Sequence, residues 1–66
     1  MDLSNMLSAK WKQLRGQVKE QWGKLTDDEI QQIEGNYDQL VGKIQERYEI
    51  SRSKAEEQVD EFLNNN

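Results

Sequence analysis

The chain has no cysteine, no histidine and no proline among its 66 residues. Without cysteine no disulfide can brace the fold, and without cysteine or histidine the usual ligands of a structural zinc are missing. The same absences remove the thiolate nucleophile and the near-neutral imidazole base. Without proline, nothing forces a helix to stop. Long apolar runs are missing too, and none approaches the ~20 residues of a membrane span. The stretch MDLSNMLSAKWK lacks the basic start and apolar centre of a secretory leader, so a cytoplasmic address is expected. Aromatics are few: two tryptophans, two tyrosines and one phenylalanine.

What remains is charge and periodicity. Apolar and charged residues each make up 33% of the chain, and the net charge is −4. The apolar residues are regularly spaced, which separates this chain from a disordered one. Leu7, Trp11, Leu14, Val18, Trp22 and Leu25 follow steps of 4, 3, 4, 4 and 3. That stripe predicts one amphipathic helix from about residue 4 to about residue 23, with both tryptophans as core anchors. LTDDEI at 25–30 reads as a new helix start. Thr26 is the expected N-cap, Glu29 completes a capping box, and Leu25 with Ile30 forms a hydrophobic staple. Capping accounts for the acidic cluster there, and no metal site is expected. Ile30, Ile33, Tyr37, Leu40, Val41, Ile44 and Tyr48 continue the helical period, interrupted at Gly35-Asn36. The expectation is a short helix at 27–34 and a longer one at 37–48. Ser51 caps a last helix, with Ser53 as its rival, and its stripe is Ala55, Val59, Phe62 and Leu63. The expected domain is residues 1–63, with a frayed tail at 64–66.

The stretch WKQLRGQVKEQWGKL at 11–25 resembles IQQIEGNYDQLVGKI at 30–44. At an offset of nineteen, Gln13, Gly16, Gly23 and Lys24 match Gln32, Gly35, Gly42 and Lys43. The match is open to two readings, an old duplication or a coincidence of two amphipathic helices. Gly23 and Gly35 fit helix-terminating caps. Gly16 and Gly42 do not, and glycine inside a helix costs about 1 kcal/mol relative to alanine. They therefore mark a candidate contact surface: docking by a partner is expected at Gly16, and close packing within the molecule at Gly42.

Charge is unevenly spread. Residues 1–25 carry five basic side chains against two acidic ones, and residues 26–66 carry four against eleven. Lys12, Arg15 and Lys19 cluster on one side of the first helix and join the candidate partner surface. Three readings follow. One is contact with a protein client or with a second copy. The alternative is nucleic acid bound through that basic face, which a pI near 4.7 argues against. A third, attachment of the first helix to a membrane surface, conflicts with the core's need for its tryptophans. No catalytic constellation, phosphate loop or cofactor motif is present, so no enzyme and no cofactor is expected.

The runs WKQLRGQVKEQWGKLTDDEI, EGNYDQLVGKIQERY and AEEQVDEF resemble the CsbD-like family of small bacterial general stress-response proteins. The resemblance covers residues 9–63. It implies an all-α bundle of four or five short helices packed as crossed hairpins, and expression under stress. It implies no catalytic activity and no active-site residues. Asn36, Glu49 and Phe62 depart from the family pattern, which favours lysine, glycine and tryptophan there. The missing glycine at 49 weakens the expectation of a left-handed turn at that point.

Overall fold

A computed structural model describes residues 2–66, which form five helices: α1 (Leu3–Ala9), α2 (Trp11–Gln21), α3 (Asp27–Ile33), α4 (Tyr37–Tyr48) and α5 (Arg52–Asn64). Four of the five starts have a local cause. Asp2, Thr26, Asn36 and Ser51 accept the backbone N–H three residues on, which satisfies an amide that the helix itself leaves unpaired. At Thr26 the capping box is complete: Glu29 N–H donates to Thr26 Oγ1 at 3.1 Å and Thr26 N–H returns to Glu29 Oε1 at 3.0 Å. Ser51, not Ser53, is the cap of α5.

The single helix expected over 4–23 is broken at Lys10 (φ −106°, ψ 14°). The ladder resumes with Gln13 and Leu14 N–H both donating to Lys10 O at 2.9 Å. Size explains the break. A straight helix of that length would run about 30 Å, against a longest molecular extent of 27 Å. Its two halves also have different neighbours: α1 packs on α4 and α5, whereas α2 packs on α3. One rigid rod cannot serve both.

Among the described residues thirteen apolar side chains close the core, with every helix contributing. They include Leu7 of α1, Leu14 and Val18 of α2, Ile33 of α3, Leu40 and Ile44 of α4, and Val59 and Leu63 of α5. Trp22 and Leu25 plug it from the α2–α3 connection. Trp22 is 2% exposed, its indole N–H donates to Gln58 Oε1 at 3.1 Å, and Phe62 meets its ring edge-on at 5.2 Å. Trp11 is not its equal. It is only half-buried and packs at the core's margin, so the expectation of two matching anchors holds for Trp22 alone.

Two left-handed residues turn the chain where side chains are not absent. Glu34 (φ 46°) and Glu49 (φ 53°) end α3 and α4. The turn at 49 survives without glycine, at the cost of about 1–2 kcal/mol that such a conformation imposes on an L-residue. Gly23 takes no left-handed φ, so it sits in the α2–α3 turn without the conformational role expected of a cap. Gly35 (φ 78°) has that role and a second one. A Cβ there would lie 3.0 Å from Ser8 Cα and 3.1 Å from Trp11 Cβ, so the end of α3 is pressed against the α1–α2 joint.

Candidate interaction groove

Positions 12, 15, 16 and 19 share one side of a helix by their spacing. In the structure Lys12, Arg15, Gly16 and Lys19 form one wall of an open groove of about 600 Å³. Its other wall is α3, which offers Asp27, Ile30 and Gln31, with Glu34 just beyond its end. Lys19 stands 4.0 Å from Asp27 beside the connection, while Trp11 touches Gly35 at the opposite end. The two helices therefore run antiparallel, as their short connection requires. Since α2 packs on α1 and α3 alone among the helices, its outer side is left uncovered.

Four of the five candidate residues are thus brought together. Gly42 is not among them. It lies on α4, which does not pack on α2, and a Cβ built on it meets nothing within 4 Å. The close packing expected there is absent, because the neighbours of α4 approach it on its Leu40, Val41 and Ile44 side. Gly16 likewise has nothing within 4 Å.

The basic wall is not uniform. Lys19 Nζ donates to Leu25 O and lies near Asp27, so it fastens the α2–α3 connection. Arg15 differs from the other two arginines: Arg47 pairs with Glu29, and Arg52 pairs with Asp38 and Glu56. Among the described residues neither Arg15 nor Lys12 has an ion-pair partner within 4.0 Å. Arg15 shares the groove with the neutral Gln31 of the facing wall.

Behind α3 lies a cluster that capping alone does not reveal. Glu29 is 7% exposed, yet charged. Arg47 Nε and Nη2 both donate to its carboxylate, at 2.9 and 2.5 Å, and Lys43 Nζ stands 3.9 Å away. The Arg47 guanidinium first, and the Thr26 amide second, hold its pKa at about 2, against an ordinary value of 4.5. A lowered carboxylate pKa stabilises the fold fully above about 4.5, and that contribution is lost as pH falls through about 2. Sequence signals existed: Lys43 and Arg47 are four apart on one face of α4. Elsewhere Tyr37 Oη donates to Asp60 Oδ1 at 2.6 Å. Burial, then that carboxylate, raises the Tyr37 pKa well above its usual value. It acts as a fixed donor joining α4 to α5.

Among the described residues no three carboxylates converge as metal ligands, and no helix is long and apolar enough to cross a membrane. A family model described as CsbD-like matches residues 5–57. The chain is 64% identical over 52 residues to the UPF0337 protein YjbJ of an Escherichia coli O6:H1 strain, covering 79% of this chain and 75% of that one. It is 51% identical over 59 residues to a UPF0337 protein of Pseudomonas aeruginosa, covering 89% and 91%. A UPF0337 protein of Nitrosomonas europaea is 53% identical over 58 residues, covering 88% and 62%. The chain belongs to the CsbD-like family.

Proposed function

We propose that this CsbD-like chain is a non-catalytic stress-response protein of the bacterial cytoplasm that works by contact with other proteins, through the groove between α2 and α3. The observation that carries this reading is the uncovered side of α2 around Gly16. A mid-helix glycine there serves no left-handed turn and no internal close approach. The stability it forgoes is accounted for if another molecule's backbone approaches that point. The groove is open and shallow for a small-molecule site, which normally buries most of its ligand. It is long enough, spanning Trp11 to Lys19, to take a segment of chain. The stress setting follows from the family resemblance.

Nucleic acid is the second reading, favoured by the convergence of Lys12, Arg15 and Lys19 on one wall. Against it, Lys19 is already engaged, which among the described residues leaves two free cations in the groove, fewer than a run of phosphates normally recruits.

A photo-crosslinking residue in place of Gln31, in the full chain expressed in stressed bacteria, tests both. Protein adducts at position 31, absent when the same residue replaces the exposed Glu57 of α5, are expected. Equal labelling from both positions would remove the groove from consideration. Adducts that dissolve on nuclease treatment would favour the second reading.

A further inference from the structure

Resting on the protein-contact reading, we infer that the groove recognises an acidic amphipathic helix of a partner protein, whose carboxylates pair with Arg15 and Lys12 while an apolar side chain sits over Gly16 against Trp11. Charge complementarity carries the choice. The two ends of the groove are internally balanced or acidic: Lys19 with Asp27 at one, Glu34 at the other. The middle is not. Arg15 is an exposed cation opposite neutral Gln31 and apolar Ile30, and Lys12, one turn nearer Glu34, is exposed as well; among the described residues neither has an ion-pair partner within 4.0 Å. Residues 12 and 15 are i, i+3 neighbours, about 5–6 Å apart at Cβ. Two carboxylates three or four apart on a facing helix have the same spacing. Arginine also takes a carboxylate through two parallel N–H donors, which fixes the orientation of the guest. Gly16, with no side chain, lets that guest's backbone come close, and the half-buried Trp11 supplies an aromatic surface for its apolar residue.

A second copy of the chain does not meet this description. Glu57 and Glu61 on α5 have the right spacing and are exposed, but the apolar side chains of that helix, Ala55, Val59 and Leu63, are sealed in its own core. The remaining apolar side chain of α5, Phe62, is half-buried and held edge-on against Trp22.

The test uses the purified full chain and a synthetic helical peptide of about 15 residues, built from leucine on one face and glutamate beside it, with a lysine-for-glutamate twin. Trp11 fluorescence is the readout. Trp11→Phe, which keeps Cβ and Cγ and so preserves the contact with Gly35, reports any signal from Trp22. The acidic peptide should bind saturably, shift Trp11 emission, and weaken as salt rises. Arg15→Glu, at an exposed and unpaired position, should fold normally and weaken binding by about tenfold or more. The lysine twin should bind at least about tenfold more weakly. Equal binding of the twin, indifference to Arg15→Glu, or no binding up to ~1 mM would overturn the inference. So would concentration-dependent dimerisation that shifts Trp11 without peptide. Crosslinks from position 31 that persist beside a null titration would leave the groove in place and remove only its acidic guest.

Discussion

A methyl group added at Gly35 would press on Ser8 Cα and Trp11 Cβ, whereas one added at Gly16 would enter open space. The two glycines occupy matching places in similar stretches of sequence, QLRGQ and QIEGN. Gly35 ends a helix, with its φ at 78° and its surroundings closed. Gly16 sits in the middle of α2, exposed and unconstrained. The second pair, Gly23 and Gly42, reverses the arrangement, with a turn first and a mid-helix position second. A repeat in letters is therefore not a repeat in structure. One region of the molecule is sealed by its glycine, and the other is left open by it.

The largest expected effect tests whether sealed and open regions differ for tryptophan as well. Trp22→Ala should cost about 3–5 kcal/mol, enough to unfold a domain of this size. Trp11→Ala should cost about 1–2 kcal/mol, since it lies at the core's margin with part of its surface already in water. Urea melts of both decide it, and equal losses would erase the distinction. Next in size, Gly35→Ala should cost about 2–4 kcal/mol, combining a strained φ with contact against backbone that cannot yield. An unchanged urea midpoint would mean that the α1–α2 joint is not held there. Thr26→Ala removes the cap from which the α3 wall begins and should cost about 1 kcal/mol. If thermal melts at low salt do not move, α3 does not depend on that cap. The smallest effect has the opposite sign. Gly16→Ala and Gly42→Ala should each stabilise the isolated protein by up to about 1 kcal/mol. A loss at Gly16 would show that something in the monomer already packs on it.

Sequence reasoning reached the elements governed by near neighbours. The span of α4, the capping box at Thr26 and the Ser51 cap are all local chemistry, and each is where the pattern puts it. It also assembled the basic wall, because Lys12, Arg15, Gly16 and Lys19 belong to one helix. The acidic and apolar wall was out of reach, since Asp27, Ile30 and Gln31 join the groove only through the packing of α2 on α3. The break at Lys10 left no trace because Leu7 and Trp11 keep the helical step across it. The unequal burial of Trp11 and Trp22 was hidden for the same reason: periodicity says which side faces inward, not how far along the core extends. Glu49 shows a local rule overridden, with tertiary packing holding a glutamate where glycine would be easier.

Glu29 has one consequence that reaches beyond its ion pair. Its carboxylate accepts the Thr26 amide that opens α3 and, at the same time, the Arg47 guanidinium of α4. A seven-residue helix has almost no stability of its own and would ordinarily fray and re-form many times before the protein unfolds. Here the first turn cannot loosen without also breaking the Arg47 pair that ties it to α4. Opening of α3 is thereby tied to opening of the whole molecule. Amide hydrogens in the second turn of α3 should exchange with solvent at rates close to those of the core of α4. In Glu29→Gln, which keeps the size of the side chain and removes the charge, they should exchange earlier and separately. A single carboxylate would then set the size of the unit that unfolds, in addition to its stability.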